Sequence, residues 1–322
     1  MTAVPLKEQS FAHRLPKIEL HAHLTGSISR ACLHSIWETV KGRDAAFDVQ
    51  DPLTAIPTDK VDYDLETFFP LFSSYIYKLC SDLPSIERYS TNAVLQDFQA
   101  DGVVYLELRT TPRAIPEKGI TKDDYVKAVL NVLNAWNQDK ANTLRAYLIL
   151  SVDRRNNIAQ AEEVVDLCIK YSSTGVVGID LCGDPAKGDV RIFADSFARA
   201  KAAGLKMTLH FAEAEVSASD IELETLLSWK PDRLGHVIHV KDSDHHFGMW
   251  RHTNVPVALS TDDVGVFCSP LSNEYALAME HFDLSRAEIR TLCTGVIDSI
   301  FTGDDEKDRL RLMYAEWDGW AI

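Results

Sequence analysis

The strongest constraint on this chain is a recurring alternation. Short apolar runs rich in β-branched residues are separated by longer segments with helical spacing. Seven such runs stand at 18–24, 103–108, 144–152, 176–181, 206–211, 233–240 and 255–260. Runs of this length suit strands buried on both faces. The stretches between them, such as DDYVKAVLNVLNAW (123–136) and AEEVVDLCIKY (161–171), repeat apolar residues three and four positions apart. Strand–helix alternation predicts a parallel α/β fold, with barrel and open sheet both allowed. The 322 residues suffice for one large barrel or for two ordinary domains. No internal repeat, low-complexity tract or linker divides them, so a single domain over 1–322 is expected. The aromatic-rich stretch 65–79 lies in the long first interval and suits an added helical cover at a barrel mouth.

Charge narrows the partners. Against 48 Asp and Glu there are only 33 Lys and Arg, a formal net charge of -15. That balance opposes the electrostatic footprint of a nucleic-acid or anionic-membrane binder, which leaves a small molecule as the expected partner. The six cysteines are scattered without a C-x-x-C pair, which fits reduced thiols and a cytoplasmic setting. The N-terminus lacks the apolar core of a signal peptide, and no run reaches the roughly 18 apolar residues of a spanning helix.

Titratable residues gather at the C-terminal ends of the runs, where parallel α/β folds place their chemistry. In the first run His21 and His23 are two apart, so alternation turns both imidazoles to one face, where they can chelate a metal. The fifth run ends in TLHFAE, with His210 and Glu213; the seventh leads into STDD, with Asp262 and Asp263. Each has an ordinary explanation taken alone, Glu213 as a helix-start acid and the Asp pair as a helix cap. Jointly, three imidazoles and one carboxylate make a ligand set for zinc or a similar ion with a position open for water. Such an ion makes water a nucleophile at neutral pH. Hydrolysis also needs a proton donor and an orienting group, for which Glu213 and His236, in RLGH at the end of the sixth run, are placed. Asp263 is the spare carboxylate, turned toward substrate when Asp262 faces the metal. His13, His34, His239, His252 and His281 receive no role, and the adjacent pair His245–His246 reads as structural.

At these residues the sequence resembles the adenosine deaminase superfamily of zinc-dependent (β/α)8-barrel hydrolases. The shared motifs are PKIELHAHLTGS (16–27), GIDLCGDP (178–185), HFAE (210–213), DRLGH (232–236) and STDD (260–263). Within it, YLELRTTPR (105–113), VDRR (152–155), DHHFGMW (244–250) and STDDVGVF followed by LSNEY (260–275) resemble the adenosine deaminase-like branch, which acts on N6-methyl-AMP. The resemblance implies one Zn²⁺ per chain on His21, His23, His210 and Asp262. It implies that Glu213 delivers a proton to purine N1, that His236 and Asp262 orient the hydroxide, that Asp263 meets the base, and that His23 also belongs to the substrate-binding residues. The Gly183 N–H would address N3, and Asp153 the ribose. Arg109, Thr110 and Thr111, with Thr25, would receive a phosphate, and Pro112 would be a further substrate-binding residue. The branch commonly has Asn at the position of Thr25. A monomer acting on a purine nucleotide is expected.

The resemblance breaks between His236 and Ser260, where the family has a seventh strand and its helix. About the thirty residues of one strand–helix unit are missing, so the expected fold is a (β/α)8 TIM-type barrel lacking its seventh strand and helix. Open edges are costly, which keeps a catalytically impaired barrel remnant as a rival to an active enzyme. Adenosine or adenine deamination is the rival on substrate. An amidohydrolase of cyclic amides shares H-x-H, but many use a carboxylated Lys, and no Lys ends the fourth run.

Overall fold

The computed structural model describes residues 11–58, 64–240 and 255–321. Six strands form in the described residues: β1 (Lys17–His23), β2 (Val103–Thr110), β3 (Arg145–Asp153), β4 (Val176–Cys182), β5 (Lys206–Phe211) and β6 (Arg233–His236). They neighbour one another in sequence order, the signature of βαβ connections, so the expected parallel α/β barrel-type fold is the one observed. Two compact units divide the chain, one built on Ala12–Tyr147 with Ser260–Tyr275, the other on Leu148–Leu259 with Ala276–Ile322 and Met1–Phe11.

In the first unit β1 and β2 pair in parallel, from Lys17 opposite Val103 to His23 opposite Arg109. Both are buried almost throughout. Along β1 the apolar Ile18, Leu20 and Ala22 alternate with Lys17, Glu19, His21 and His23, so one face packs and the other carries chemistry. Helices Arg30–Arg43, Asn92–Ala100 and Lys122–Gln138 belong to this unit. The last starts at a reciprocal cap in which Thr121 and Asp124 satisfy each other's backbone N–H groups, and it buries Tyr125, Val129, Leu133 and Trp136. The stretch 65–79 is helical as expected, but not as one regular helix. Pro70 sits inside Leu65–Leu71, and the ladder passes into a π-helical turn over Phe72–Ile76.

In the second unit β3, β4, β5 and β6 pair in parallel, with Asp153 opposite Cys182 and Phe211 opposite His236. Every strand of this unit therefore delivers a polar residue at or just past its C-terminal end. Helix Ile158–Tyr171, capped by Asn157 and Gln160, buries Val164, Val165 and Cys168, while Asp220–Ser228 starts on Ser219.

Two expected runs come out shorter. The run 233–240 stops as a strand at His236, because His236 and Val237 take left-handed backbone (φ 62° and 57°) and the N–H groups of Val237, Ile238 and His239 turn back to Phe211 O and Ala212 O. The run 255–260 is not a strand; what remains is a single parallel bridge between Ala22 and Asp262. A strand persists where it is hydrogen-bonded along its length, and here the β1 side supplies one bridge only. The motif DHHFGMW, with His245, His246 and His252, lies outside the described residues. No helix among the described residues is long and apolar enough to cross a membrane.

Candidate active site

In the first unit His21 and His23 project from the end of β1 and Asp262 comes alongside through the bridge. Asp262 N donates to His21 O (2.8 Å) and His23 N donates to Asp262 O (2.9 Å). This brings Asp262 Oδ1 to 3.3 Å from His21 Nε2 and 3.4 Å from His23 Nε2. Donors bound at about 2.0–2.1 Å to one tetrahedral ion stand about 3.3–3.4 Å apart. The spacing is longer than a good hydrogen bond and matches donors that share a cation, so the two imidazoles and the carboxylate fit a metal ion.

The backbone places this carboxylate with care. Asp262 has φ 58°, a left-handed conformation that non-glycine residues adopt where the surroundings enforce it. Glu19, two residues before His21, is fully buried beneath it; Oε1 accepts from His21 N (2.7 Å) and Oε2 accepts from Thr261 N and Thr261 Oγ1 (both 2.9 Å). Burial pushes the Glu19 carboxyl above its ordinary pKa, and these hydrogen bonds pull against that rise.

Asp263 is buried, and its side chain does not cap the turn Val264–Phe267 that it opens, which removes the ordinary explanation for it. A Cβ at Gly26 would fall on Asp263 Oδ1, and Gly265 N donates to Gly26 O (2.8 Å). The glycine of the first motif thus makes room for the second carboxylate of the last.

At the end of β2, Leu24 N donates to Arg109 O (2.8 Å), which fixes the residues after the histidines against the RTTP stretch. Arg109 is almost fully buried and donates to Leu20 O (2.8 Å), and the Thr110 hydroxyl shares a 2.7 Å hydrogen bond with Tyr125 OH. Pro112 is buried; Thr25 and Thr111 are half-buried.

In the second unit His210 Nδ1 lies 3.1 Å from Asp180 Oδ1, and Asp180 Oδ2 accepts from Ser151 Oγ (2.9 Å). A carboxylate on Nδ1 holds the ring and leaves Nε2 as the ligand atom, the usual support of a metal-binding histidine. The His236 ring stands 5.0 Å from that of His210, and its Nε2 is 4.0 Å from Glu213 Oε2. Glu213 lies ahead of the next helix rather than in its first turn. Gly183 has φ 104°, and a Cβ there would meet Asp153 Oδ1 at 2.7 Å. Asp153 itself is held by Arg155, whose backbone N and Nε both donate to Oδ1 at 2.8 Å.

Sequence reasoning passed over Glu19, Gly26, Asp180 and Thr261. Alternation does put Glu19 on the face of His21 and His23, and Asp180 stands two residues before Cys182 at the end of β4, so both carried a signal. Nothing along the chain announced that Glu19 would reach Thr261.

Comparison with known proteins agrees with this geometry. The adenosine deaminase family profile matches residues 16–246 and 238–317. The chain is 34% identical to an N6-mAMP deaminase of Arabidopsis thaliana, over 93% of this chain and 96% of that protein. It is also 34% identical to an N6-methyl-AMP deaminase of Homo sapiens, over 94% and 93%. A crystal structure of the Arabidopsis N6-mAMP deaminase superposes with a TM-score of 0.87 at 33% identity, covering 96% of this chain and all of that one. With Asp262 at metal-ligand spacing from both β1 histidines, and relatives matched along almost their whole length, this chain belongs to the adenosine deaminase family of metal-dependent hydrolytic deaminases.

Proposed function

We propose that the chain hydrolyses N6-methyl-AMP at purine C6, giving IMP and methylamine, with one Zn²⁺ held by His21, His23, His210 and Asp262. The observation that carries the reading is the 3.3–3.4 Å spacing of the Asp262 carboxylate from each of His21 and His23 in a relative of N6-methyl-AMP deaminases. With His210 they make the one His, Cys, Asp and Glu grouping among the described residues that could hold a metal ion. A structure of an ADAL–IMP complex, 33% identical with a TM-score of 0.86, supports a nucleotide as the ligand class. The reading takes both units as one catalytic domain, acting as a monomer in the cytosol, where six free cysteines are at home.

Bound there, zinc would supply a water of lowered pKa for the attack. Glu213 holds the proton that passes to purine N1, which makes C6 electrophilic. His236, with Nε2 4.0 Å from Glu213 Oε2, orients the attacking water and takes its proton. Asp263, given its place by Gly26, hydrogen-bonds the base. Gly183 turns its N–H toward N3 in a backbone conformation that favours glycine, and Asp153, steadied by Arg155, meets the ribose. Arg109, Thr110, Thr111 and Pro112 at the end of β2, with Thr25, form the phosphate side, Arg109 being in register with His23.

Zinc-loaded protein is to be incubated separately with N6-methyl-AMP, AMP and adenosine, with Glu213→Gln as the blank. IMP from N6-methyl-AMP, nothing from adenosine and nothing in the blank is expected. Inosine from adenosine at an equal rate would replace the nucleotide reading with a nucleoside one. No product from any substrate would make the chain a deaminase-fold remnant.

A further inference from the structure

We infer that Glu19 is a positioning residue of the metal centre, whose carboxylate replaces missing strand pairing and sets the spacing between the β1 histidines and Asp262. The inference rests on the proposed metal-binding role of those residues. Asp262 is attached to β1 by one bridge, with Asp262 N on His21 O and His23 N on Asp262 O. A neighbouring strand would continue that ladder backwards through 255–260, and it does not form. Glu19 stands where the ladder stops. One carboxylate oxygen accepts from His21 N and the other accepts from Thr261 N and Oγ1; the Ser260 side chain also hydrogen-bonds this carboxylate.

The clamp therefore grips β1 at a ligand residue and the other segment one residue before a ligand. No cation among the described residues pairs with Glu19, so its burial is offset by hydrogen bonds alone. Such an arrangement tolerates little movement, because each lost donor leaves a buried acceptor unsatisfied. A carboxylate has two equivalent acceptor oxygens, and an amide has only one. Glu19→Gln keeps the volume and sets an NH₂ group against either His21 N or the Thr261 donors. One side of the clamp must open, and with it the 3.3–3.4 Å separations.

The test reads the metal rather than turnover. Zinc affinity is measured by competition with a chromophoric chelator, and ligand geometry by the visible absorption of the cobalt-substituted protein, for wild type, Glu19→Gln and Thr261→Val. A group that only fills the core would lower the melting temperature and leave both readouts alone. We expect zinc affinity about ten- to a hundredfold lower in Glu19→Gln, with a changed cobalt spectrum, and a smaller change of the same kind in Thr261→Val. Wild-type affinity and spectrum in folded Glu19→Gln overturn the inference. If that variant does not fold, Thr261→Val decides alone, and an unchanged affinity and spectrum in it is the overturning result. A wild-type chain that takes up neither ion removes the metal reading itself, a failure seen before any substitution is made.

Discussion

A single hydrogen atom for a side chain at position 26 is what lets a carboxylate occupy the place of Asp263. A Cβ at Gly26 would stand 1.5 Å from Asp263 Oδ1, so Gly26→Ala must drive that carboxylate aside by more than an ångström, and a misplacement of about 1 Å can already cost about a hundredfold in rate. We expect kcat/KM to fall on that scale while zinc content stays at the wild-type value, since the three atoms nearest the new methyl group all belong to Asp263, which is not a proposed ligand. Steady-state kinetics beside metal analysis check this; zinc lost together with activity would place Gly26 in the ligand framework instead. Residues of this kind mark where reading the sequence stopped. His21, His23, His210, Asp262, Glu213 and His236 were legible because alternation and strand-end position are written along the chain. The supporting residues were not, because Gly26 with Asp263, and Glu19 with Thr261, are pairs brought together only by the fold.

The same division holds among secondary-structure elements. Six of the seven expected strands form, since an apolar run buried on both faces has few alternatives. The run 255–260 forms no bridge of its own, the one bridge to β1 standing just beyond it at Asp262, and its Pro256 lacks the N–H that a ladder needs. Helix starts were readable in principle: Thr121 followed three residues later by Asp124 is a capping pair, and the structure contains it. Thr121→Ala removes the side-chain oxygen that accepts from Asp124 N, at a cost of about 1 kcal/mol. Chemical denaturation should show that loss with kcat unchanged, because the hydrogen bonds of the cap run between Thr121 and Asp124. A drop in kcat of tenfold or more would mean that this helix start communicates with the site.

For the whole molecule the governing quantity is a net charge of -15. A nucleotide monophosphate carries the same sign, so encounter at low ionic strength is opposed by the protein's field. Salt screens that field over about 10 Å at 0.1 M. We therefore expect kcat/KM for N6-methyl-AMP to rise from ~10 to ~150 mM salt, in a stopped-time assay at constant pH. A fall would show that a local cationic pocket outweighs the acidic surface. The proposed donors have one more consequence, for biosynthesis. His21 and Asp262 stand about 240 positions apart in a chain made at about 5–20 residues per second. The ribosome releases the first two donors long before the last exists: a chain stopped before His210 holds only a histidine pair, one stopped between His210 and Asp262 still lacks the carboxylate, and completion of the proposed zinc site belongs to the later part of translation.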